Sequence, residues 1–62
     1  MVYVSNFNSG TVSVIDADTF DVIDTIPVGD GPVGIAYDAE NNRVYVSNLF
    51  SGTVSVFFLD NI

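Results

Sequence analysis

Valine, isoleucine, tyrosine and phenylalanine come in short runs along this chain, and each run is closed by Gly, Asn, Asp, Ser or Pro. β-Branched and aromatic runs bounded by turn formers predict strands. Six are expected, over residues 2–6, 11–16, 22–28, 33–38, 43–48 and 53–58. No stretch keeps apolar residues at helical spacing over ten or more positions, so the predicted fold class is all-β. The alternation also separates the strands from one another. Val2-Tyr3-Val4 and Ile35-Ala36-Tyr37 are apolar on both faces, which predicts packing on both sides of the sheet, because a wet face would alternate apolar with polar. The run Val22-Ile23-Asp24-Thr25-Ile26-Pro27 is more polar, and its proline, unable to donate to a ladder, assigns it to a sheet edge. Gly34 and Ala36 make the fourth strand the thinnest, as a crowded innermost strand requires.

The pattern occurs twice. Residues 2–14 and 44–56 align without a gap at an offset of 42 residues, with eleven identities in thirteen positions. A period between about 20 and 50 residues marks a repeat architecture, in which one unit buries its faces only against neighbours. Turn chemistry fits antiparallel partners. Ser9-Gly10 and Ser51-Gly52 close the equivalent hairpins, Asn41-Asn42 separates the fourth and fifth strands, and Asp16-Ala17-Asp18-Thr19 the second and third. Gly29-Asp30-Gly31-Pro32 resists both helix and strand and is expected to cross from one sheet to the next. The whole chain is thus one repeat unit of two partial sheets, 1–28 and 33–62, joined by the crossing 29–32.

These residues resemble the YVTN-type β-propeller repeat. The likeness rests on Arg43-Val44-Tyr45-Val46-Ser47-Asn48, the Gly-Thr-Val-Ser-Val hairpins, and Ile26-Pro27-Val28-Gly29 leading into Gly31-Pro32-Val33-Gly34, with serine where the family has threonine. The resemblance implies blades that are four-stranded antiparallel sheets packed face to face around a channel. With strands labelled A (innermost) to D (outermost), this chain supplies B, C and D of one blade and A, B and C of the next. A propeller has about four to eight blades, so one and a half blades make an incomplete propeller. The tail also departs, since Phe57-Phe58-Leu59-Asp60-Asn61-Ile62 replaces Ile15-Asp16-Ala17-Asp18-Thr19-Phe20 of the first copy. Three arrangements are open: a fragment whose partner segments lie elsewhere, self-association through unpaired edges, or a permuted blade in which strand A folds back beside the first strand. By resemblance the module belongs to a cell-surface or secreted parent, where it is a non-catalytic scaffold for protein or glycan binding. A second implication is a piece of a lactonase-like or electron-carrying propeller whose reactive residues lie on other blades.

Composition narrows the chemistry. Sixty-two residues make one small domain with no cysteine, so packing or association must supply its stability. The chain carries eight carboxylates against Arg43 alone, a net charge of −7. That charge repels phosphate backbones and anionic headgroups, so neither nucleic acid nor membrane insertion is expected. The longest uninterrupted apolar runs, 1–4 and 56–59, are far shorter than a membrane span, and no targeting segment is expected before the first strand. Histidine, cysteine and lysine are absent, which removes the usual bases, nucleophiles and soft-metal ligands; neither enzymatic activity nor a cofactor is expected.

Two clusters remain. Antiparallel alternation collects Phe7, Asn8, Leu49 and Phe50 at one end with Asp30 of the crossing, and these form the candidate binding rim. The same aromatics would also serve to cap the core. The other end collects Asp16, Asp18, Asp21, Asp38 and Glu40. Asp16-x-Asp18-x-x-Asp21 has the oxygen spacing of a calcium loop, but Asp21 stands at the sixth position and Pro27 at the twelfth, where glycine and a closing glutamate belong. Turn formation is therefore the expected role of these aspartates, with no metal site. The expected partners are like repeat units or other copies of this chain.

Overall fold

The computed structural model describes residues 1–58; the divergent tail from Leu59 onward lies outside the described residues. Its six strands are β1 (Val2–Asn6), β2 (Thr11–Ile15), β3 (Val22–Pro27), β4 (Pro32–Asp38), β5 (Arg43–Asn48) and β6 (Thr53–Phe58). They form two antiparallel three-stranded sheets ordered β1-β2-β3 and β4-β5-β6. This is the all-β arrangement expected for B-C-D followed by A-B-C. Because β4 pairs with β5 in register Ile35↔Val46, the permuted blade with strand A beside β1 is not adopted. Pro27 lies on an edge strand, where its missing N–H costs no ladder bond. Pro32 joins β4 opposite Asn48 and is followed by a register shift before Gly34, so the strand begins one residue earlier than the turn chemistry implied.

Each sheet has two unlike faces. In the first, register partners put Tyr3, Ser5, Val12, Val14 and Ile26 on one side and Val2, Val4, Asn6 and Ser13 on the other. We call these the tyrosine face and the asparagine face. The repeat reproduces both in the second sheet, with Tyr45, Ser47, Val54 and Val56 on its tyrosine face and Val44, Val46 and Asn48 on its asparagine face. The sheets pack tyrosine face to asparagine face. Val12 contacts Val44 and Val46, and Tyr3, Val28, Ile35 and Phe57 close around them. The Tyr3 ring stacks on Tyr37 at 6.0 Å and meets Phe57 edge-on at 6.5 Å. Ser5 Oγ adds a bond across the gap, donating to the Val33 carbonyl at 3.2 Å. Burial at this junction, helped by Tyr37 beside it, raises the Tyr3 phenol above its ordinary pKa.

Two stacked sheets make one interface, and this corrects the expectation that β1 and β4 are covered on both sides. Val2 and Val4 remain 45% and 41% exposed on the outer asparagine face. Ala36 is exposed and Tyr37 half open, so β4 is not crowded either. The same valines in the other copy, Val44 and Val46, are fully buried. Sequence is equal at these positions; the neighbour decides burial.

The turns hold the expected backbone. Gly10 and Gly52 close the equivalent hairpins at φ near 65°, and Asn42 sits at 52° between β4 and β5. One turn residue departs: Phe20 adopts φ 64° with its ring 81% exposed. A bulky side chain is strained there, and asparagine tolerates the conformation better. Phe20→Asn should raise stability by about 1 kcal/mol, seen as a later denaturant midpoint at unchanged slope. The face assignment gives a paired test. Val12→Ala and Val44→Ala should each cost about 2 kcal/mol through lost burial and a cavity, whereas Val54→Ala and Val2→Ala should cost less than about 0.5 kcal/mol. Equal losses at repeat-equivalent positions would contradict the packing described.

Candidate functional site

Both hairpin tips and the crossing lie at one end of the sandwich. The crossing is strapped from either side by backbone bonds. Val28 N donates to the Gly10 carbonyl at 2.9 Å, while Leu49 N and Phe50 N donate to the carbonyls of Gly31 and Asp30 at 2.9 and 3.1 Å. Asp30 N in turn donates to Ser51 Oγ at 3.3 Å. Close approach is the reason for glycine in this segment. A Cβ on Gly29 would fall 2.8 Å from the Asn48 side chain, and one on Gly31 would fall 2.8 Å from the Phe50 ring.

Beneath the tips an asparagine in each copy ties its hairpin together. Asn6 Nδ2 donates to Thr11 Oγ1 at 3.1 Å and Ser13 Oγ at 2.9 Å; Asn48 Nδ2 donates to Thr53 Oγ1 at 3.3 Å and Ser55 Oγ at 2.9 Å. Ser47 Oγ accepts from Gly34 N at 3.0 Å, joining β4 to β5. The repeated serines therefore work as hydrogen-bonding groups of the scaffold. Asn48 is 2% exposed and its Oδ1 has no partner among the described residues.

Above this support, Phe7, Asn8, Ser9 and Gly10 of the first tip, Asp30 and Gly31 of the crossing, and Phe50 of the second tip line a pocket of about 330 Å³. Phe7 and Phe50 meet edge-on with centroids 5.1 Å apart, a geometry favoured by the ring quadrupoles. The thirteen-residue repeat differs at two positions only: Phe7 against Leu49, and Asn8 against Phe50. Those two differences place one aromatic from each tip on the same pocket. Of the rim residues expected from sequence, Phe7, Asn8, Asp30 and Phe50 come together here. Leu49 does not line the pocket; its side chain is 63% exposed and its backbone is engaged with Gly31. Ser9, Gly10 and Gly31 were legible only as turn formers, and their place in the lining depends on how the crossing folds between the tips.

The pocket combines aromatic edges, an aspartate, an amide and a hydroxyl. It can stack on an apolar face and hydrogen-bond the polar rim of the same ligand. At the opposite end Asp16 and Asp38 serve their own turns. Asp16 Oδ1 accepts from Asp18 N at 2.8 Å and Thr19 N at 3.3 Å. Asp38 accepts from Asn41 Nδ2 at 2.9 Å and from its backbone N–H, and these bonds, with Arg43 nearby, hold its carboxyl below the usual range. Among the described residues no three His, Cys, Asp or Glu side chains converge as a metal centre would need, and no helix is long and apolar enough to cross a membrane. Arg43 lies over the Phe58 ring at 5.4 Å.

No protein-family model, curated protein or solved structure matches this chain.

Gly31 tests how closely the crossing is held. Gly31→Ala should cost about 1–2 kcal/mol, since alanine is strained at φ 66° and its Cβ would press on Phe50. Thermal melting checks this, and an unchanged melting temperature would mean that the crossing is free to move.

Proposed function

We propose that this chain is a non-catalytic β-propeller-type repeat module of the YVTN kind. In this reading it is a rigid scaffold that stacks on like units and holds its loop-tip rim out for protein or glycan recognition, in a cell-surface or secreted parent. The reading draws its support from one observation above the rest. Two different faces of the repeated sheet meet at the junction, the tyrosine face of one copy with its buried Val12 and Val14 and the asparagine face of the other with its buried Val44 and Val46. A junction between unlike faces of a repeated sheet is one that further repeats extend without new chemistry. The rim adds the second part. Phe7 and Phe50 break the repeat where a recognition pocket needs aromatic surface, and Asp30 and Asn8 supply polar partners beside them.

Tandem extension tests the stacking part. Inserting one further copy of residues 2–43 ahead of Val44 creates a complete four-stranded sheet between the two partial ones. Each inserted unit should raise the melting temperature, with diminishing increments, as nearest-neighbour coupling requires. A melting temperature independent of unit number would remove the module reading.

A further inference from the structure

We propose that a second copy of this chain docks head to tail, the outer asparagine face of one copy receiving the outer tyrosine face of the next. This rests on the stacking reading and names its partner. Inside the chain, Val12 of a tyrosine face is buried completely against Val44 and Val46 of an asparagine face, and Val14 on the same tyrosine face is buried as well. The repeat places the same side chains on the two outer faces, with Val54 and Val56 equivalent to Val12 and Val14, and Val2 and Val4 equivalent to Val44 and Val46. All four lie open, at 63%, 49%, 45% and 41% exposure. Each molecule thus ends in the two halves of an interface that it already forms once.

The supporting groups are also in place. Asn6 is tied to Thr11 and Ser13 as Asn48 is to Thr53 and Ser55, so the outer asparagine face has the same hydrogen-bonded frame as the inner one. Tyr45 stands where Tyr3 does, and Ile15 offers the apolar surface that Phe57 offers Tyr3. Two elements are lacking among the described residues, and one is a counterpart of β3 in the second sheet, so nothing stands for Val28 of the internal contact. The first sheet also has no counterpart of β4, so an incoming Tyr45 finds no equivalent of Tyr37. The net charge of −7 opposes contact as well. The intermolecular junction is accordingly weaker than the internal one and is strengthened by salt, which shortens the range of repulsion to about 3 Å at 1 M. Because the two faces are unlike, the contact is heterologous and repeats until a ring closes or the supply of copies ends.

Two substitutions on exposed positions test this without touching the internal core. Val4→Lys spoils one outer face and Val56→Lys the other, and circular dichroism verifies that each variant keeps the β fold. By sedimentation velocity in 1 M NaCl, the unmodified chain should show a mass that rises with concentration above its 6.7 kDa. Each variant alone should remain monomeric. An equimolar mixture should form a heterodimer and nothing larger, since one intact face of each kind survives. Should a single variant still self-associate, the pairing is like-with-like or edge-to-edge and the proposal fails. It fails equally if the unmodified chain stays monomeric at every concentration and salt. Tandem arrays that stabilise beside such a strict monomer would leave the module reading standing and sink only this one.

Discussion

The contact of a tyrosine face with an asparagine face governs the rest of the structure. Neither sheet has an apolar layer of its own, since three strands expose as much valine as they hide. Among the described residues the fully buried valines, Val12, Val14, Val44 and Val46, lie on the two faces that meet at the junction. A chain of this length buries a modest share of its unfolded surface, so removing the junction would leave two minimal three-stranded sheets with their central valines open to water. The crossing, its straps to both hairpin tips and the pocket above them exist because the two sheets are held at this distance.

Much of this was legible in the residues. The six strands follow from the alternation of valine with serine, threonine and tyrosine, and the division into sheets follows from the glycines and proline of the crossing. The edge position of β3 was carried by Pro27. What the residues could not state is which apolar face is covered. Val2 and Val44 are the same letter in the same motif, yet one is open and the other closed. Local pattern records that a face is suited to burial, and only the number of neighbours decides whether burial occurs. The apolar character of both faces of β1 was therefore read correctly as chemistry and wrongly as burial.

The rim was legible in a different way. Antiparallel alternation put Phe7, Asn8, Leu49 and Phe50 at one end with Asp30, and the fold gathers all of these except Leu49 around one pocket. Leu49 shows the limit of that reasoning. Its spacing placed it among the tip residues, but the backbone bond to Gly31 fixes the tip so that Phe50, rather than its neighbour, faces the pocket. The acidic end is the converse case. There Asp16 and Asp38 are consumed by the turns they close, through bonds to amides two or three residues along the chain.

The crossing between the tips has one more consequence. Since it is strapped to both sheets at the same end, the pocket sits on a fixed side of the molecule. Any array built by repeating the sheet junction would then point all its pockets the same way, at a regular pitch along one border. Simultaneous engagement of several such sites raises apparent affinity through effective concentration alone. In the proposed reading a shallow site of weak individual affinity would suffice when displayed in rows, and avidity rather than depth would set the strength of binding.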